Sequence, residues 1–167
     1  AKYFGLNKFL FDLAVGGMGV GGGVGFQNTA EMRFLEHYLG KTNNSKFVLF
    51  DVGANIGDYT NFVVGLRPSS ICYCFEPDKF NYQKLFHKFK CEGNVHIINN
   101  AVGQANRRVD FYQREDRYLN SPHGSIYKEV IEDCHNARTI KTSVDMITID
   151  SFVRENAIKE IDLLKID

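Results

Sequence analysis

Phe47-Val48-Leu49-Phe50-Asp51-Val52-Gly53-Ala54-Asn55-Ile56-Gly57-Asp58-Tyr59-Thr60 reads as a strand that ends in a glycine turn and passes into a helix. Phe47 to Phe50 is a continuous apolar run, as expected of a strand covered on both faces. Gly53 permits a tight turn and a close backbone approach. Gly57 lets the following helix pack closely, and Asn55 offers a side-chain donor and acceptor. Tyr59 to Leu66 suits a short helix ended by Arg67-Pro68. Ile71 to Phe75 is a second strand. Glu76-Pro77-Asp78 opens a second helix that runs to about Cys91, with Phe80, Leu85, Phe86 and Phe89 expected on its core face. Gly93 ends it, and Val95 to Ile98 is a third strand. The order β-α-β-α-β predicts a parallel sheet with right-handed crossovers.

Downstream the pattern loosens. Val109 to Tyr112 and Lys141 to Met146 look like strands, separated by a polar segment of a kind that is usually functional or disordered. Thr148 to Asn156 looks like a helix, and Ile161 to Ile166 like a buried strand. Asp167 is the last residue and stands at that strand's carboxyl end, where open α/β sheets bind ligand. The expected architecture is therefore α/β, a Rossmann-like doubly wound and mostly parallel sheet with helices on both faces, incomplete at the C-terminus. A longer natural protein is expected.

Residues 1–46 form a separate helical and glycine-rich segment ahead of the 47–167 sheet. Phe4, Phe9, Leu10 and Leu13 sit near helical spacing. Gly17-Met18-Gly19-Val20-Gly21-Gly22 matches G-x-G-x-x-G. A predicted helix precedes it, where a dinucleotide fingerprint needs a strand. Flexible loop is the better reading. Phe9 to Phe26 approaches a membrane span in length, but seven of the ten residues from Gly16 to Gly25 are glycine and Asp12 interrupts the run. No membrane span is expected. Asn28 or Thr29 can cap a helix carrying Phe34, Leu35, Tyr38 and Leu39, stopped by Gly40.

Composition narrows the function classes. With 167 residues and 44% apolar content, the chain can bury roughly 70% of its unfolded surface. Lys plus Arg is 20 and Asp plus Glu is 20, so the net charge is zero, which argues against a nucleic-acid partner. Cys72, Cys74, Cys91 and Cys134 show no zinc spacing, and no metal is expected. They read as reduced thiols in a reducing compartment, the cytoplasm. Cys72 and Cys74 are taken to point to opposite faces of their strand. His37, His87 and His135 read as surface, and His96 as structural.

The chemistry gathers at the strand ends. Glu76 lies 19 residues beyond Gly57 and ends the second strand, where a carboxylate can accept both hydrogen bonds of a ribose diol. Turn and acid together imply an adenosine-type cofactor. Asp51 and Asp58 flank the turn and would repel a pyrophosphate, whereas a ligand carrying an ammonium and a sulfonium suits them. That favours S-adenosylmethionine over a nicotinamide dinucleotide.

These segments resemble the FkbM-type methyltransferases, within the class I S-adenosylmethionine-dependent fold. Val48 to Thr60 looks like that family's first motif, Phe75-Glu76-Pro77 its second and Asn100-Ala101-Val102-Gly103 its third. Ile147 to Phe152 followed by Ile161 to Asp167 looks like the approach to its fourth. The resemblance implies that Asp51, Gly53, Ala54, Asn55 and Gly57 line the methionine part of S-adenosyl-L-methionine, with Tyr59 and Thr60 beside it at the helix start. It implies that Glu76 binds the ribose, Asn100 and Ala101 flank the adenine, and Asp167 lies near the methyl group. The family continues after this aspartate with Val-Glu-Gly, which this chain does not contain. Hydroxyl methylation of a sugar or other small or glycosylated acceptor is implied, and a hydroxyl needs a general base. Asp167 is the first candidate and His123, in the long polar segment, the second. The competing readings are a nicotinamide-dependent oxidoreductase on a related sheet and a cofactor-binding domain without catalysis.

Overall fold

A computed structural model describes residues 30–41, 46–114, 124–129 and 139–167. The chain divides into two units between residues 44 and 45. In the first, α1 (Ala30–Lys41) buries Met32, Leu35 and Leu39, one face of a helix at i, i+3 and i+7. Phe34, expected in that stripe, is exposed, because it lies about 100° around the helix from Leu35. Gly40 falls inside the last turn and does not end the helix.

The second unit comprises, in chain order, β1 (Val48–Val52), α2 (Asp58–Leu66), β2 (Ile71–Phe75), α3 (Lys79–Phe89), β3 (Val95–Ile98), β4 (Ala101–Val102), β5 (Arg107–Arg114), β6 (Gly124–Ser125), β7 (Thr139–Ile147), α4 (Ile149–Glu155) and β8 (Leu163–Ile166). β1, β2, β3 and β8 form a parallel sheet in the order β3-β2-β1-β8. Val52, Phe75 and Ile166 stand level at its carboxyl edge. The order reverses between β1 and β8, because the chain leaves β3 at one edge and returns on the far side of β1. That reversal is where doubly wound sheets take ligand.

Side chains alternate between the two sheet faces. On one, Phe50, Val52 and Phe75 form a core with Phe152 and Val153 of α4 and with Ile158 and Ile161. Phe152 meets Phe50, Tyr73 and Phe75 edge-on at centroid distances of 5.8, 5.5 and 4.9 Å, a preferred aromatic geometry. On the other lie Leu49, Asp51, Cys72 and Cys74, all fully buried, against α2 and α3. Cys72 and Cys74 thus share one face, contrary to the expectation, as residues two apart in a strand must. Burial first and the Asp51 charge second push the Cys72 thiol up to about 12, and burial pushes Cys74 higher still. Both remain protonated packing groups.

α3 starts at Asp78, whose Oδ1 accepts from the N–H groups of Phe80 (2.6 Å) and Asn81 (3.2 Å), a side-chain N-cap. It buries Asn81, Leu85 and Phe89, while Phe80 and Phe86, expected in the core, are exposed. The buried face is fixed by what it meets. A Cβ on Gly57 would lie 2.4 Å from Leu85 and 2.6 Å from Phe89.

β4 to β7 form a second sheet, order β4-β7-β5-β6, dominated by antiparallel pairing of β5 and β7 from Arg107 opposite Met146 to Arg114 opposite Thr139. Asn100 Nδ2 donates to the Asp145 carbonyl at 3.2 Å and ties it to the end of β3. β8 is buried on one side only. Leu163 and Lys165 point inward, while Leu164 and Ile166 are exposed. The membrane expectation for Phe9 to Phe26 and the glycine loop lie outside the described residues. Among the described residues no helix is long and apolar enough to cross a membrane.

Candidate functional site

The turn after β1 is held by its own amides. The N–H groups of Gly53 and Ala54 both donate to the Phe75 carbonyl at 3.0 Å, and Gly57 N–H donates to the Ala54 carbonyl at 2.8 Å. Asn55 N–H donates to Glu76 Oε2 at 2.7 Å. Gly53 and Gly57 have φ of 73° and 79°, the left-handed region that glycine enters freely, and Asn55 has φ 53°. With these four amides consumed, the turn offers a ligand few donors. It does offer an acceptor: Asn55 Oδ1 is buried and meets no donor among the described residues.

Glu76 closes the adjacent strand. It is 5% exposed, and Oε1 accepts from the Asp78 N–H at 2.8 Å. Burial pushes its carboxyl from 4.5 up to about 7; the Asp78 and Asn55 N–H groups pull the other way, and the Asp78 and Asp51 charges add to the rise. Asn99, which sequence reasoning passed over, donates from Nδ2 to the carbonyls of Glu76 (2.7 Å) and Pro77 (3.1 Å). Its position in the Asn99-Asn100 pair at a strand end was the available signal. A cavity of about 550 Å³ opens alongside, lined by Pro77, Asp78, Asn99, Gln113, Val144 and Asp145 among others.

Asp51 and Thr60, expected at and beside the methionine part of the cofactor, pair with each other. Both are fully buried. Thr60 Oγ1 donates to Asp51 Oδ2 at 2.8 Å, which leaves the Cys74 thiol to donate to Thr60 Oγ1 at 3.1 Å. Asp51 Oδ1 lies 3.3 Å from Lys165 Nζ. Asp58 is paired with Lys88 at 2.8 Å, and Lys88 Nζ also donates to the Ile56 carbonyl at 3.1 Å. Neither flanking carboxylate is therefore left uncompensated to select a cation, as the sequence argument assumed.

Ala54 and Tyr59 are buried at the turn and helix start. Ala101 is buried in β4, opposite Met146, and Asn100 faces the second sheet. Asp167 stands across the turn: a Cβ on Gly53 would be 3.2 Å from Asp167 Cβ. Its side chain is 76% exposed, its Oδ2 lies 3.3 Å from Lys165 Nζ, and its N–H donates to the Val52 carbonyl at 3.2 Å. His123 lies outside the described residues. Among them no group of His, Cys, Asp and Glu could hold a metal.

A parallel sheet whose strand order reverses beside a glycine turn, with a buried acid at the next strand end, defines a Rossmann-like doubly wound domain. Residues 51–167 match the family model for the methyltransferase FkbM domain, and the chain belongs to that family. No curated protein matches it. Among solved structures, an rRNA methylase from Streptococcus thermophilus is similar at 16% identity and a TM-score of 0.35, over 42% of this chain and 39% of that one. A precorrin-6y C5,15-methyltransferase from Geobacter metallireducens GS-15 is similar at 11% identity and a TM-score of 0.34, over 55% of this chain and 66% of that one. The chain thus spans about two fifths of the first and just under two thirds of the second.

Proposed function

We propose that this chain binds S-adenosyl-L-methionine across the carboxyl ends of β1 and β2 and serves methyl transfer to a hydroxyl, on a sugar or other small or glycosylated acceptor, in the cytoplasm. The observation that carries the reading is the unpartnered buried acceptor Asn55 Oδ1, in a turn whose amides at 53, 54, 55 and 57 are already used. Such a turn favours a ligand that donates hydrogen bonds, as an ammonium does, over a pyrophosphate that needs donors.

When bound, the cofactor supplies a methyl group on a positively charged sulfur, a good leaving group. Asn55 Oδ1 accepts from its ammonium, and Glu76, ionised, accepts from the ribose hydroxyls through lone pairs its two amide partners leave open. Pro77 and Asn99 border space for the base. Asp167, exposed at the reversal point, takes the proton of the acceptor hydroxyl. The buried sheet beneath keeps these groups in fixed relation, and positioning supplies most of the acceleration.

Calorimetric titration of the protein with S-adenosylhomocysteine and, separately, with NADH tests the reading. Binding of the first alone supports it. Binding of NADH alone replaces it with the oxidoreductase reading. Tight cofactor binding without methyl transfer to any of a panel of hydroxylated acceptors would leave a domain that binds and does not catalyse.

A further inference from the structure

Lys165 interrupts the apolar run Leu163-Leu164-Lys165-Ile166, and its side chain is only 15% exposed. A lysine so placed requires partners, and three oxygens supply them. Nζ lies 3.3 Å from Asp51 Oδ1, 3.2 Å from the Gly53 carbonyl and 3.3 Å from Asp167 Oδ2. The three belong to separate pieces of the site: the end of β1, the turn after it, and the residue that follows β8. The ammonium also lies 5.8 Å from the centre of the Tyr59 ring at the start of α2. It therefore spans the point where the strand order reverses.

We propose that Lys165 is a positioning residue for methyl transfer, its ammonium clamping Asp51, the Gly53 carbonyl and Asp167 so that the cofactor-bearing turn and the acceptor-side carboxylate stay at one fixed separation. The assignment rests on the cofactor reading above. Two contacts set that separation. Gly53, lacking a side chain, lets Asp167 Cβ come within 3.2 Å of where a Cβ would stand. Lys165 draws the same two residues together through their oxygens. Neutralising buried Asp51 takes one of the three oxygens, and the other two tie the ammonium to the turn and to the residue after β8.

That distinction supplies the test. Lys165→Met leaves Asp51 buried and uncompensated, so its melting temperature falls whichever role is right. In Lys165→Met combined with Asp51→Asn neither partner of this buried pair is charged, and an oxygen is still present for Thr60. The complete protein, its Lys165→Met and Asp51→Asn variants and the double variant are compared by thermal melting and by titration with S-adenosylhomocysteine. The expected result is a double variant that recovers the melting temperature yet binds at least tenfold more weakly than Asp51→Asn alone. Recovery of both melting temperature and affinity makes Lys165 a charge-balancing residue and overturns the assignment alone. A wild-type protein that binds no S-adenosylhomocysteine removes the cofactor reading and this assignment with it.

Discussion

Glu76 Oε2 accepts the Asn55 backbone N–H at 2.7 Å, so the acid that ends β2 holds the turn that follows β1. One carboxylate thereby fixes the loop. Glu76→Ala removes the acceptor for Asn55 and for Asp78, together with the proposed ribose contacts. The variant is expected to bind S-adenosylhomocysteine more weakly by about 1–3 kcal/mol, the scale of unmade buried hydrogen bonds. Calorimetry on the folded variant checks this, and unchanged affinity would mean that the ribose lies elsewhere.

The raised Glu76 carboxyl makes both binding and stability depend on pH. Its folded value near 7 exceeds its unfolded value of 4.5. Between those values the native state holds more protons than the unfolded one, so stability falls as pH rises from 4.5 to about 7 and is level above, by about 3 kcal/mol in all. Ribose hydroxyls favour the ionised form, so affinity changes in the opposite sense. It strengthens as pH climbs towards 7 and is flat beyond. Titrations with S-adenosylhomocysteine at pH 5.5, 6.5 and 7.5, run in two buffers of different ionisation enthalpy, are expected to show proton release at the lower values. A flat profile with no proton release would separate Glu76 from the ligand.

Much of the site could be read from the residues because it depends on backbone requirements that leave a mark in the chain. Gly53 and Gly57 are glycine since both have positive φ and both meet a neighbour where a Cβ would be. Glu76 and Asp167 are found by counting to strand ends. What stayed hidden depends on pairing over long distances. The register that puts Lys165 of β8 beside Asp51 is one such pairing. Hydrophobicity alone assigned Phe80 and Phe86 to the core of α3, whereas the face that packs is the one opposite Gly57. The second sheet joins β5 to β7 across the long polar segment, and neither strand alone announces its partner.

Two glycines in one region are expected to respond oppositely to the same change. Gly57→Ala places a Cβ at φ 79° and 2.4 Å from Leu85. Left-handed strain and overpacking together cost about 2–4 kcal/mol. Gly65→Ala, near the end of α2, adds a Cβ where nothing lies within 4 Å and gains up to about 1 kcal/mol of helix propensity. Thermal melting should therefore move down for the first and up for the second. A tolerant Gly57→Ala would show that α3 does not press on the turn.

Asp78 joins α3 to the second sheet. Its Oδ1 caps the helix, and its Oδ2 accepts from the side-chain amide of buried Gln113 on β5. Asp78→Ala removes both functions and is expected to cost about 1–2 kcal/mol, mainly through the lost cap. Asp78→Asn retains an oxygen for the Phe80 and Asn81 amides, and asparagine caps about as well as aspartate, so its loss should be clearly smaller. Urea denaturation of the two variants separates the cap from the charge. Equal losses would shift the weight to the carboxylate and its link with Gln113, because the cap alone distinguishes alanine from asparagine.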